Sequence, residues 1–221
     1  MTRSRAKQNS QRSAFTLIEL LVVIGVIAVL AAVVFAGLSG SDRGVALRSA
    51  QATMANALNA ARTRAVTKGV NVALMVQNDP GNPDRYRRVV AVVETVTGTP
   101  VLVSIFELPE HVGVLPSRTR FTADMREPGN WVGGYSGNGL GSTFLGSTIS
   151  VAIAGTATEN WEYRDITPNG TVAGAGSIVV GTVRNQPGGT YPILFVSPEQ
   201  VRGLTVSSYS LARMINDRQG F

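Results

Sequence analysis

The sequence predicts an α+β fold in which one long N-terminal helix packs on an antiparallel β-sheet. Three observations predict it. The first is an uninterrupted apolar run over residues 15–37, and the second is a stripe of apolar residues that continues the helical periodicity to Lys68. The third is a change after Gly69 to short segments rich in β-branched residues. With 221 residues and 44% hydrophobic composition, the chain has room for one such domain and an appendage.

The first element is a predicted transmembrane helix over residues 15–38. Its apolar run holds one charged residue, Glu19, and a helix of that length spans about 34 Å, against a hydrocarbon core of about 30 Å. Residues 1–14 contain four basic residues and no acidic one. The positive-inside rule therefore places the N-terminus in the cytoplasm and the rest of the chain outside.

Two other interpretations of this segment stay open. It could be a secretory signal peptide cleaved after Val34-Phe35-Ala36, or a simple membrane tether. Glu19 argues against both, because a carboxylate inside an apolar helix costs about 2.5–3.5 kcal/mol and marks a functional residue by default. If the chain were cut before Phe15, the new α-amino group would lie about 6 Å from Glu19 along the helix. The Glu19 of a neighbouring copy could then pair with that amine.

The segment Ala14-Phe15-Thr-Leu-Ile-Glu19-Leu-Leu-Val-Val-Ile resembles the N-terminal cleavage and methylation motif of prepilins and pseudopilins. The resemblance implies that residues 1–14 are a leader peptide, and that a prepilin peptidase cuts between Ala14 and Phe15. It also implies methylation of the Phe15 amine and a role for Glu19 in subunit assembly. The family usually has Gly where this chain has Ala14.

Residues 39–69 are predicted to form the amphipathic outer half of the same helix. A hinge or frayed turn is expected near Gly40 and Gly44, since each mid-helix glycine costs about 0.5–1 kcal/mol relative to alanine. Gly69 is the predicted stop. The stripe expected to pack on the sheet consists of Leu47, Ala50, Met54, Leu58, Ala61 and Ala65, and the polar side of Arg48, Gln51, Asn56, Asn59, Arg62 and Arg64.

Residues 70–221 are predicted to form the antiparallel sheet domain. Turn residues at 78–84 and 96–100 predict two hairpins. A glycine-rich stretch at 126–146 predicts a long, partly ordered loop. The predicted strands cover residues 70–76, 86–96, 101–108, 149–154, 177–183, 191–197 and 204–207.

A second resemblance covers the C-terminal part. Residues 161–171, which contain Thr167-Pro168-Asn169-Gly170, are followed by the predicted strands 193–197 and 203–207. This order is similar to the tail of H-class minor pseudopilins and related type IV minor pilins, and the helix end at 60–69 looks like the same group. The resemblance implies a pilin-like fold.

The residue inventory argues against an enzyme. The chain has no Cys and one His, His111, which is interpreted as a surface residue. No cofactor or metal is expected. Four Asn and Asp residues within 78–84 could offer oxygen ligands to calcium, but the same residues form turns, and we favour the turn.

The net charge of +6 raises the question of nucleic-acid binding. The excess of positive charge lies in residues 1–69, whereas residues 70–221 are close to neutral, so nucleic acid is not an expected partner. The candidate phosphate contacts of such a function are Arg85, Arg87 and Arg88 with Tyr86, or Arg202, Arg213 and Arg218.

By resemblance, the chain is expected to be a structural subunit of a type II secretion pseudopilus or a type IV pilus, near the tip. Its expected partners are the prepilin peptidase, other pilin or pseudopilin subunits, the inner-membrane assembly platform and membrane lipid. The expected location is the bacterial inner membrane, with the C-terminal domain in the periplasm. The alternatives are a minor pilin for DNA uptake or adhesion and, less favoured, a tethered envelope hydrolase.

Overall fold

The structure is a computed structural model. It describes residues 16–94, 100–131, 140–153, 155 and 157–221, without the side chains of 32–41. The chain divides into two compact units, Met1–Asp42 and Arg43–Phe221.

The helix α1 covers Leu17–Lys68, so Gly40 and Gly44 both lie in helical backbone. Gly69 ends it as predicted. Its φ of 66° is left-handed, and the amides of Gly69 and Val70 both donate to the carbonyl of Ala65, at 2.9 and 3.3 Å. These bonds satisfy a carbonyl that the last turn of a helix leaves without an intrahelical partner.

The first sheet has five antiparallel strands. In spatial order they are β3 (Val101–Glu107), β2 (Val89–Glu94), β1 (Val72–Gln77), β6 (Glu159–Ile166) and β5 (Ser147–Val151). Both predicted hairpins are confirmed, because β2 pairs with β1 on one side and with β3 on the other.

The second sheet also has five strands, all antiparallel. The order is β10 (Ala212–Ile215), β9 (Val201–Val206), β7 (Gly176–Asn185) and β4 (Val112–Val114), with β8 (Ile193–Phe195) paired to β7. The strands β4, β6 and β10 were not predicted. The strand β6 has the sequence Glu-Asn-Trp-Glu-Tyr-Arg-Asp-Ile. Four of its eight residues are charged, which is not the pattern that predicts a central strand.

One hydrophobic cluster joins the outer half of α1 to both sheets, which confirms the predicted α+β arrangement of a long helix on antiparallel β-structure. The whole predicted stripe is buried. The sheets contribute residues that alternate along their strands, such as Leu74 of β1 and Ile178 of β7. One residue of the predicted polar side behaves differently: Gln51 is 3% exposed, and its amide donates to the carbonyls of Gly203 and Ile215 at 2.7 and 2.8 Å.

The glycine-rich stretch 126–146 is packed at both of its described ends. The indole of Trp131 is buried and donates to the carbonyl of Phe195 at 2.8 Å. At the other end, the Ser142 hydroxyl donates to the carbonyl of Leu115 at 2.7 Å. Residues 132–139 lie outside the described residues.

Candidate functional site

A hydrogen-bonded cap forms the start of α1. The amide and the hydroxyl of Thr16 both donate to one carboxylate oxygen of Glu19, at 2.9 Å each. The Glu19 amide donates back to Thr16 Oγ1 at 3.3 Å. This reciprocal pair is a capping box, which satisfies donors that the first turn of a helix otherwise leaves without partners. Thr16 was not a predicted site residue, although its Thr-x-x-Glu spacing before an apolar run signals such a box.

The first turns of α1 present an apolar surface without a polar face. Every Leu, Ile and Val side chain between Leu17 and Leu30 is at least half exposed, from 50% at Val23 to 85% at Leu17. An exposed apolar surface that is continuous around a helix is typical of a segment that contacts lipid or other proteins. Glu19 is the single charge on it.

Ala14 and Phe15 lie outside the described residues, as do the side chains of 32–41. Among the residues that the structure describes, no helix is both long and apolar enough to cross a membrane. The predicted span 15–38 includes residues beyond that part, and it stays a prediction.

The sequence of this N-terminal region matches one protein family model. That model describes the prokaryotic N-terminal methylation motif, and it matches residues 9–35. The N-terminus of this chain carries that methylation motif. The matched residues include Ala14, Phe15 and Glu19, which the resemblance of the sequence had singled out.

Two solved structures are similar to this chain, and both are crystal forms of the type IV minor pilin FimU of Pseudomonas aeruginosa. The first is 10% identical with a TM-score of 0.43, and the similarity covers 76% of this chain and 87% of that one. The second is 11% identical with a TM-score of 0.42, covering 76% and 91%. No curated protein sequence matches the chain.

In the first group of candidate phosphate-binding residues, the arginine side chains are paired with carboxylates. Arg85 lies 3.4 Å from Glu159, and Arg88 lies 3.3 Å from Glu107. Arg87 is only 1% exposed and cannot reach a ligand at the surface. The turn at 78–88 is therefore held to neighbouring strands by ion pairs, and it offers phosphate no free cationic surface of the kind the sequence suggested.

Arg87 belongs to a buried network that the sequence did not predict. Its Nη1 lies 2.5 Å from Glu162 Oε2, and Arg120 Nη1 lies 3.0 Å from the other oxygen of the same carboxylate. Burial lowers the pKa of Arg87, but attraction and hydrogen bonding to Glu162 outweigh it and raise the pKa above the ordinary value. Arg87 also has a positive φ of 61°, which is uncommon for a residue other than glycine.

The second group lies near the C-terminus. Arg218 forms an ion pair with Glu199, and Arg202 donates to Asn216 Oδ1 at 2.9 Å. Arg213 lies on the edge strand β10 and lines a cavity of about 320 Å³ with Thr205 and neighbouring residues. Of the three arginines, Arg218 is therefore paired with a carboxylate, whereas Arg202 bonds a neutral side-chain amide.

The remaining predicted candidates are a histidine and a turn. His111 is exposed, with a positive φ of 63°. In the turn, the backbone amide of Gly81 donates to Asp79 Oδ1 at 3.0 Å, and the side-chain amide of Asn82 donates to Glu159 Oε1 at 2.9 Å. These bonds fit the turn interpretation. Among the described residues, no three His, Asp or Glu side chains are grouped so that they could hold a metal ion.

Proposed function

We propose that this chain is a minor pilin or pseudopilin, a structural subunit that is processed at its N-terminus and assembled into a filament of the type IV pilus or type II secretion kind. The observation that carries the proposal is the N-terminal methylation motif at residues 9–35, which includes the start of α1, where Glu19 is the single charge among apolar residues. A subunit of this kind performs no chemistry of its own, so the proposal includes that the chain is not an enzyme.

The proposal gives each part of the N-terminus a task. A prepilin peptidase removes residues 1–14 and methylates the amine of Phe15. Residues 15–38 anchor the chain in the inner membrane until it joins the filament, because an apolar surface this large is stable only in lipid or against other subunits. The partners are other subunits and the inner-membrane assembly platform, and the C-terminal domain stands in the periplasm.

Glu19 is the proposed assembly contact. In a filament, the methylated amine of Phe15 from a neighbouring subunit enters an apolar helix bundle, where an unpaired charge costs about 3–5 kcal/mol relative to a paired one. The Glu19 carboxylate supplies the counter-charge. Its capping bonds use the amide and hydroxyl of Thr16, neither of which is removed by cleavage before Phe15, so the carboxylate stays positioned at the helix start in the mature chain.

The first experiment determines the mature N-terminus. Mass spectrometry of the protein extracted from the bacterial membrane is expected to find a chain that begins at methylated Phe15. An Ala14→Gly variant should be processed at least as fast. A mature chain that begins at Gly37 would indicate secretory cleavage after Ala36, and it would overturn the proposal.

The second experiment separates the charge of Glu19 from its capping bonds. Glu19→Val removes both, whereas Glu19→Gln keeps an acceptor for Thr16 and loses only the charge. We expect both variants to be inserted and processed but to enter the filament about 10²–10⁴-fold less favourably, at about 1.4 kcal/mol per tenfold change. Cross-linking into the filament is compared with the amount of processed protein. Incorporation of Glu19→Gln at the wild-type level would show that the charge is not the contact.

The position near the filament tip is the finest part of the proposal. Its support is the resemblance of residues 161–171 and the strands after them to minor pseudopilins. Gold-labelled antibody against the domain 43–221 should mark filament ends in electron micrographs. Labelling along the whole length of the filament would reject the tip position and leave the subunit assignment standing.

A further inference from the structure

A cavity of about 530 Å³ lies in the unit Arg43–Phe221, where β4 begins and where β7 and β8 end. This volume is within the range of about 300–1,000 Å³ that is typical of ligand pockets. All the residues that line the cavity belong to the part of the chain that the structure describes, and none belongs to the methylation motif. The lining side chains with polar groups are Arg43, His111, Glu127, Asn130, Arg184 and Asn185.

Hydrogen bonds between distant segments fix the wall of this cavity. The amide of Val183 in β7 donates to the carbonyl of His111 at 2.8 Å. The side-chain amide of Asn130 donates to the carbonyl of Val196, directly after β8, at 3.0 Å. The wall is therefore built into the fold, and a ligand can bind without first ordering these segments.

The wall carries a net positive charge. Arg184 donates from Nε and Nη2 to both carboxylate oxygens of Glu127, at 2.7 and 3.0 Å, so these two charges offset each other. Glu127 is the only carboxylate that lines the cavity, and Arg43 adds a second guanidinium. Two positive charges against one negative leave one in excess, even with His111 neutral.

Several donors of the wall are free to bind a ligand. The side chains of Arg43 and His111 are exposed, and neither has an ion pair or a side-chain hydrogen bond among the described residues. The bonds from Arg184 to Glu127 leave its Nη1 unused. Guanidinium groups bind phosphate oxygens in a planar, charge-assisted geometry. Val183 and Val196 give the same cavity an apolar part, which suits a phosphate that is attached to carbon atoms.

The position of Arg43 in the chain indicates where such a phosphate comes from. Arg43 follows the end of the predicted span 15–38 by five residues, and five residues reach at most about 18 Å even when fully extended. The headgroup layer adds about 5–8 Å to each side of the hydrocarbon core. Arg43 is therefore tethered close to the phosphates of the bilayer surface.

We propose that this cavity binds the phosphate group of an anionic phospholipid, with Arg43, Arg184 and His111 as the donors. The choice of a lipid as the source of the phosphate rests on the membrane anchor of the proposed function. A lipid bound there attaches the folded domain to the membrane at a second point, in addition to the span 15–38.

His111 is the only histidine of the chain, so its ring signals report on the cavity alone. The full chain is labelled with ¹³C-histidine, held in uncharged dodecyl maltoside micelles and titrated with dihexanoyl phosphatidylglycerol, and the ring signals are followed by NMR. We expect a shift that saturates. Absence of a saturable shift would overturn the site.

Two other titrations test the source of the phosphate and the role of charge. Inorganic phosphate lacks the apolar carbons and should need at least about tenfold higher concentration for half-saturation. Dihexanoyl phosphatidylcholine carries a cation beside its phosphate, so it should need at least about fivefold more than phosphatidylglycerol. Half-saturation by inorganic phosphate at the concentration of phosphatidylglycerol would overturn the lipid as ligand. Equal affinity for the two lipids would overturn the charge argument.

Two variants of equal charge separate the cavity from the general charge of the chain. Arg43→Gln and Arg48→Gln each remove one positive charge from an exposed position of α1, but only Arg43 lines the cavity. Arg43→Gln should raise the half-saturating phosphatidylglycerol concentration at least about fivefold, the effect of about 1 kcal/mol per basic residue near an anionic surface. Arg48→Gln should change it less than about twofold. Equal effects of the two variants would show that the cavity is not the site.

A third variant should change the affinity in the opposite direction. Glu127→Gln removes the carboxylate of the wall and should lower the half-saturating concentration at least about twofold. The variant is expected to fold, because Arg184, its ion-pair partner, has a side chain that is 60% exposed, and circular dichroism checks this. Weaker binding than in the wild type would contradict the proposal. These experiments measure neither N-terminal processing nor filament entry, so their failure leaves the proposed function standing.

Discussion

Replacing Glu162 with glutamine tests whether the buried ion pair holds the domain together. Glu162 is 0% exposed and Arg87 is 1% exposed, so the Glu162→Gln variant leaves a buried guanidinium beside a neutral amide. Removing one partner of a buried pair typically costs about 3–5 kcal/mol of the free energy of unfolding. At about 2–4 °C per kcal/mol for a domain of this size, the melting temperature should fall by about 6–20 °C.

Matched variants separate this effect from the loss of any charge. Glu127→Gln removes a carboxylate whose partner Arg184 has a side chain 60% exposed, and exposed pairs contribute about 1 kcal/mol or less. The double variant Arg87→Met with Glu162→Leu removes both buried charges. It should recover most of the lost stability, because replacing a buried pair by apolar residues is often neutral. Arg120 is 38% exposed and can turn to solvent in that variant.

The assay is urea unfolding of residues 43–221, followed by circular dichroism. The free energy of unfolding is extrapolated to water for the wild type, the two single variants and the double variant. If Glu162→Gln costs no more than Glu127→Gln, the ion pair does not stabilise the domain and the reasoning is wrong. A double variant less stable than Glu162→Gln would show that the network does more than neutralise charge.

Three further predictions concern the same domain. Residues 43–221 alone should be soluble and give a mixed helix and strand spectrum with one cooperative melt, whereas a disordered spectrum would contradict a common core for α1 and the sheets. Gly203→Ala should destabilise this domain by more than about 4 kcal/mol in urea unfolding, because a Cβ at Gly203 would lie 2.0 Å from the carbonyl oxygen of Ile178. The control is Gly69→Ala, which should cost about 1–2 kcal/mol because Gly69 has a φ of 66°. A similar cost for the two variants would refute the clash. Partial desolvation raises the pKa of the exposed Asp165, and Arg164 offsets part of the rise. Its contribution to stability is therefore present below about pH 4 and is lost as the pH rises through the raised pKa. Asp165→Asn should gain stability relative to wild type over that rise in pH, and a constant difference would contradict this.

The sequence by itself determined the features that depend on local periodicity and on short motifs. The buried stripe of α1, from Leu47 to Ala65, follows from apolar residues at three- and four-residue steps, and the helix stop at Gly69 follows from a left-handed conformation that glycine adopts freely. The two hairpins follow from turn residues. The methylation motif is also local, because it consists of consecutive residues, 9–35. The role of Glu19 stays a prediction.

Only the tertiary structure decided what depends on residues far apart in the chain. Arg87 and Glu162 are 75 positions apart, and the sequence around each predicts an exposed charge, whereas the fold buries the two side chains against each other. Gln51 reads as part of the polar face of α1, but Gly203 and Ile215 bring carbonyls to it from the other end of the sequence. The division into two sheets has the same origin. A strand can pair with any of several segments that are distant in the sequence, so local patterns do not determine its partner. The charges of β6 prevented its prediction as a strand, and in the structure the charge of Glu162 is compensated by ion pairs with Arg87 and Arg120.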